Sequence, residues 1–113
     1  MPEVANMLDE YEKFFGLAIT VTSHSPYVPD PQIEHRDYIG LTSLANNYLD
    51  FVRHTDASIG LFIDEMNKLD LLKDTVIVFY GDHTSSLFIQ DIESIFKKRF
   101  SESMSNNILK HIL

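Results

Sequence analysis

The residues best suited to chemistry are Asp82 and His83, a carboxylate and an imidazole side by side after the run Thr75-Val76-Ile77-Val78-Phe79-Tyr80-Gly81. Neither group belongs at the end of an apolar run without a partner. Adjacent side chains of a regular strand point to opposite faces, so both reach one ion only where the backbone leaves the strand conformation, and Gly81 permits that bend at low steric cost. Oxygen and nitrogen donors without sulfur suit Mn²⁺ or Zn²⁺, and a carboxylate-rich site also holds Mg²⁺ or Ca²⁺. The competing reading is a polar turn that caps a strand. His24 closes an earlier apolar run in the same way, and its plain alternative is a loop cap with the ring bonded to a backbone carbonyl.

The elements that must position these residues are legible from periodicity. Val4, Met7, Leu8 and Tyr11 stand at helical spacing within residues 3 to 13, which predicts a short amphipathic helix. Phe14 to Thr22 is a continuous apolar and β-branched run, the pattern of a strand buried on both faces. Ser23 to Gly40 carries Pro26, Pro29 and Pro31 with no period, which predicts a surface loop. From Leu41 to Leu72, positions such as Leu44, Tyr48, Phe51, Ile59, Phe62 and Met66 recur in steps of three and four, interrupted at Thr55, and Lys73-Asp74 ends that helix. Thr75 to Tyr80 is the second predicted core strand. The expected fold is therefore α/β, a βαβ core of a mostly parallel sheet with flanking helices, and the carboxyl ends of both strands lie on one edge. Open α/β sheets bind ligands outside that edge, where His24 and His83 fall. Beyond Ser86, Leu87, Ile89, Ile92, Ile95, Phe96 and Phe100 predict another helix, followed by a polar stretch and a short apolar end.

Composition narrows the function classes. A chain of 113 residues with 44% apolar content suits a single domain, and its net charge of -8 argues against nucleic acid as a partner. With no cysteine, disulfides and thiolate metal sites are excluded. The longest apolar runs fall far short of the roughly 20 residues that a membrane helix needs, and no signal-peptide pattern opens the chain. The sequence as given reads as soluble, with any membrane anchor outside it.

Two blocks carry a family resemblance. Asp56-Ala57-Ser58-Ile59-Gly60 with Leu69 to His83, and Phe14-Phe15 with Thr20-Val21-Thr22-Ser23-His24-Ser25-Pro26-Tyr27, together resemble the sulfatase branch of the alkaline phosphatase superfamily, on the side of the lipoteichoic acid synthase-like phosphoglycerol transferases. The likeness covers about residues 12 to 86 of what reads as one partial domain over 1 to 113, and the helical tail from 87 to 113 is left unassigned. The resemblance implies that Asp82 and His83 bind a divalent metal, Mn²⁺ foremost with Zn²⁺, Mg²⁺ or Ca²⁺ as alternatives. It also implies that His24 contacts the substrate head group, a glycerophosphate or phosphatidylglycerol. The implied reaction is attack by a metal-activated Thr on a phosphodiester in cell-envelope polymer synthesis, by a membrane-anchored enzyme whose catalytic domain is extracellular or periplasmic. A sulfatase or a phosphoethanolamine transferase would use the same Asp-His pair.

The family's nucleophilic Thr and its remaining carboxylate ligand lie upstream of the His24 block and have no counterpart here. None of Thr20, Thr22, Thr42, Thr55, Thr75 and Thr84 stands in the nucleophile's context. The chain is expected to be a truncated or split homologue that is inactive alone, completed by a missing N-terminal part or subunit, or else a non-catalytic protein binding a metal or head group. Unpaired strand edges would favour a homo-oligomer. Ordinary surface roles are expected for His35 and Arg36 in the loop, for an Arg53–Asp56 pair on the long helix, and for the basic run Lys97-Lys98-Arg99.

Overall fold

A computed structural model describes residues 1–97. Three α-helices are present among them: α1 (Pro2–Asp9), α2 (Ser43–Lys68) and α3 (Ile89–Phe96), with a 3₁₀ turn at Leu72–Asp74. The expected basic run from Lys98 onward, Phe100, and the polar and apolar tail lie outside the described residues.

Helix α2 is the spine. Its twenty-six residues run without a break through Thr55, because the apolar stripe has partners on both sides of that position. Toward its carboxyl end, Phe62 and Met66 enclose a core with Ala5 of α1, flanked by Val4, Leu8, Phe14, Leu69, Leu72 and Ile77. Toward its amino end, Ala45 packs with Leu87 and with Ile92 of α3, flanked by Leu41, Leu44, Tyr48 and Ile95. Two small cores therefore share one helix, with α1 at one end and α3 at the other.

The ends of α2 explain why the sequence pattern overran it. Thr42 is the N-cap, its hydroxyl accepting from the Ala45 N–H at 3.2 Å, so the helix starts at Ser43. At the other end Asp70 adopts the left-handed conformation (φ 58°), a stop signal usually carried by Gly or Asn, and the chain then tightens into the 3₁₀ turn.

The polar face of α2 is as ordered as its apolar one. Asn46 Oδ1 accepts from the Tyr38 N–H at 2.8 Å, Asn47 Nδ2 donates to the Tyr27 carbonyl at 2.9 Å, Asp50 accepts from the Arg36 N–H at 3.2 Å, and Arg53 donates to the Glu34 carbonyl. Side chains spaced three and four apart thus satisfy the backbone of a loop that has no secondary structure of its own. The expected Arg53–Asp56 pair is not the one formed: Arg53 reaches Asp50 at 3.6 Å and Glu34 at 3.7 Å instead.

The two strands expected at 14 to 22 and 75 to 80 are not formed among the described residues, and with them the βαβ unit is missing. The residue types are those of buried strands, but a strand exists only through a neighbour that accepts its backbone hydrogen bonds. Here Phe15 is 95% exposed, and Leu17, Ile19 and Val21 also face solvent. In the second run Val76 is 89% exposed and Val78 is exposed, whereas Thr75 and Ile77 are half-buried, a period of two that keeps one face inward. Both runs therefore have strand-like sequence and no pairing partner.

Candidate functional site

Although no sheet aligns them, the ends of the two runs meet. The His24 and His83 rings stand edge to face with centroids 5.1 Å apart, on loops separated by most of the chain. Asp82 is beside them, its Oδ1 3.7 Å from His83 Nε2. All three sequence-predicted site residues are thus on one exposed patch.

Each imidazole is oriented by its own backbone. His83 Nδ1 lies 2.8 Å from the Thr84 carbonyl and His24 Nδ1 lies 2.6 Å from the Ser25 carbonyl. A carbonyl only accepts, so Nδ1 carries the proton in both rings and Nε2 of the neutral ring keeps its lone pair. A histidine ligand characteristically has this arrangement, with one nitrogen donating to a carbonyl and the other left to the ion. The carbonyl contact expected of a mere loop cap at His24 is present, and it is equally the contact that frees Nε2.

The donors fit a divalent cation of borderline hardness. Two ligand atoms each roughly 2.1 Å from one ion stand no more than about 4.2 Å apart, and the 3.7 Å between Asp82 Oδ1 and His83 Nε2 is within that limit. No group of three or more His, Cys, Asp or Glu residues is gathered tightly enough among the described residues to enclose an ion.

What fixes this patch is a residue that sequence reasoning named only as part of a motif. Tyr27 is 2% exposed, and its ring packs against Tyr48 at 5.3 Å and Phe51 at 6.2 Å between centroids. Its hydroxyl donates to the Ser85 carbonyl at 2.7 Å. Burial, and secondarily the Tyr48 phenol, push the Tyr27 hydroxyl above its ordinary pKa, so it stays a donor at neutral pH. A large aromatic side chain in a loop needs somewhere to bury itself, which is the signal the sequence offered.

A second cluster was also missed. Asp50, 3% exposed, accepts from His35 Nδ1 at 2.7 Å, and His35 Nε2 lies 3.2 Å from Asp37. The Asp50 hydrogen bond, opposed by burial and aided by Asp37, holds the His35 pKa above its usual value. His35 is therefore a tether between loop and helix and not a freely solvated side chain.

A cavity of about 410 Å³ lies between α1, residues 17 to 22 and α2, lined in part by Val4, Met7, Leu17, Ile19 and Thr55. His24, Asp82 and His83 do not line it, and all three are exposed. No helix among the described residues is long and apolar enough to cross a membrane.

The sulfatase family profile matches residues 2–107. The lipoteichoic acid synthase of Staphylococcus saprophyticus is 32% identical over 75 residues, 66% of this chain. The lipoteichoic acid synthase-like YvgJ of Bacillus subtilis is 33% identical over 73 residues, 64% of this chain. The capsular polysaccharide biosynthesis protein RkpI of Rhizobium meliloti is 33% identical over 88 residues, 77% of this chain. The chain spans 12% of the length of the first two relatives and 14% of the third. No solved structure matches. The sulfatase family has an α/β architecture, of which the described residues display the helical layer and two unpaired strand sequences. With a family profile running over almost all of its residues, the chain belongs to the sulfatase family.

Proposed function

We propose that this chain supplies the Asp-His and head-group side of a metal-dependent phosphoryl-transfer site, of the kind that builds cell-surface polymers from glycerophosphate units. The observation that carries the reading is the meeting of His24 with Asp82-His83, each imidazole presenting Nε2. The relatives support it, since two are named for lipoteichoic acid synthesis and the third for capsular polysaccharide synthesis.

In this reading Asp82 and His83 Nε2 hold a divalent cation, Mn²⁺ first among the alternatives. The cation, when bound, stabilises negative charge on the transferring phosphoryl group. His24, one ring away, donates or accepts a hydrogen bond at the phosphate or glycerol of the head group, phosphatidylglycerol being the fitting donor. The nucleophilic Thr and the remaining ligands come from residues beyond these 113, on the same polypeptide or on a partner. The exposure of His24, Asp82 and His83 agrees with a site that is one wall of a larger cleft.

Calorimetric titration with Mn²⁺, Zn²⁺ and Mg²⁺ tests the proposal on the chain itself. Binding that is lost in Asp82→Ala and in His83→Ala, and retained in His24→Ala, is the expected result. Absence of binding in the parent, or equal loss in all three variants, would overturn the division of roles.

A further inference from the structure

We infer that Tyr27 is a positioning residue that sets the separation of His24 and His83. This rests on the reading of those histidines as one site, and it identifies what holds the two halves together. Tyr27 is three positions after His24, and the carbonyl that accepts its hydroxyl belongs to Ser85, two positions after His83. The bond therefore joins the two histidine loops directly, across a sequence separation of 58 residues.

The other end of Tyr27 is anchored on α2. Asn47 Nδ2 donates to the Tyr27 carbonyl at 2.9 Å, and the ring is wedged against Tyr48 and Phe51 of the same helix. The residue thus acts as a rigid strut: backbone on the helix, ring in an aromatic slot, hydroxyl on the far loop. Both joints are conformationally constrained. Tyr27 itself has φ 53° and Ser86, next to the accepting carbonyl, has φ 59°. Left-handed backbone is costly for a bulky residue and persists only where surrounding contacts overdetermine it.

Packing alone does not account for the hydroxyl. A phenylalanine would fill the same slot between Tyr48 and Phe51, whereas a buried phenol must find an acceptor. The acceptor found is in the loop that carries Asp82 and His83, and that links the aromatic slot on α2 to the candidate ligands.

The test is Tyr27→Phe in the full chain, read by nuclear Overhauser contacts between the two imidazoles and by binding of glycerol 3-phosphate in the presence of Zn²⁺. Losing one hydrogen bond that aligns the two loops should weaken the imidazole contacts and lower glycerol 3-phosphate affinity about three- to tenfold. Zn²⁺ affinity, set by Asp82 and His83 within one loop, should change by less than about twofold, a split that general loss of structure would not produce. Replacement of Tyr27 by 4-aminophenylalanine, which keeps a para donor, should restore the parent values. Asn47→Ala releases the opposite end of the strut and should weaken the imidazole contacts even if Tyr27→Phe does not fold. Unchanged contacts in Tyr27→Phe or in Asn47→Ala, or parallel loss of Zn²⁺ and glycerol 3-phosphate binding, would overturn the inference. Failure of the parent to bind Zn²⁺ would instead count against the proposed metal role, while the imidazole contacts would still decide the role of Tyr27.

Discussion

Replacing Asp91 with Ala should destabilise the core at the amino end of α2. Asp91 is 2% exposed in the first turn of α3, where a carboxylate also suits the helix dipole. Its Oδ1 accepts from the Thr42 N–H at 3.1 Å and its Oδ2 from the Thr42 hydroxyl at 2.8 Å. Thr42 is in turn the N-cap of α2, so one carboxylate ties the start of the short helix to the start of the long one. A hydrogen bond to a charged group is worth about 1.5–3 kcal/mol, and a buried donor left without a partner costs about 1–3 kcal/mol. The hydroxyl can rotate and keep its bond from Ala45, so the two losses overlap and the expected cost is about 2–4 kcal/mol. At about 4–5 °C per kcal/mol for a chain of this size, the melting midpoint should fall by roughly 8–20 °C. Asp91→Asn, which keeps one acceptor, should lose about 1 kcal/mol. The assay is urea and thermal unfolding followed by far-ultraviolet circular dichroism, extended to a double-mutant cycle with Thr42→Val. A fall of less than about 2 °C, or strict additivity in the cycle, would refute the claim that the cap is shared.

Three further outcomes are expected. The His35–Asp50 tether raises the His35 pKa, so its stabilising contribution is fully present below the ordinary histidine value of 6.5 and is lost as pH rises through the raised folded-state value. Melting midpoints measured from about pH 6 to about pH 8.5 should therefore decline, and His35→Gln should flatten the decline; an equal slope in the variant would show that another group titrates there. Met66, fully buried between α1 and α2, should cost about 2–5 kcal/mol when cut back to Ala, read as a lower urea midpoint with an unchanged slope. Val76→Lys and Ile19→Lys alter side chains that face solvent, so static light scattering should register less self-association while the urea midpoint shifts by less than about 0.5 kcal/mol; a large loss of stability would mean that these side chains are buried after all.

The helical layer was legible because each helix carries its own instruction. The three- and four-residue steps from Leu44 to Leu69 located α2, and the error lay in its ends, where Thr42 and Asp70 act through single side-chain and backbone geometries that periodicity does not see. The strand runs were legible as residue types but not as structure, since pairing is a property of two segments and neither run is paired among the described residues. At the site, Asp82, His83 and His24 could be singled out because their side chains are out of place after apolar runs, and His24 and His83 do come together. The partners that organise the surroundings were hidden for opposite reasons. Tyr27 sits in a loop with no period to betray its burial, and Asp50 sits on a polar stripe that reads as solvated unless the covering loop is known.

The manner in which the two imidazoles are aligned bears on how the site can be altered. Each ring takes its orientation from the peptide immediately after it, His24 from Ser25 and His83 from Thr84. In the folded chain the choice of tautomer therefore rests on a contact within two adjacent residues in each loop. The spacing between the two rings belongs instead to the scaffold, so which ring nitrogen is left free and how far apart the rings stand can be altered independently of one another.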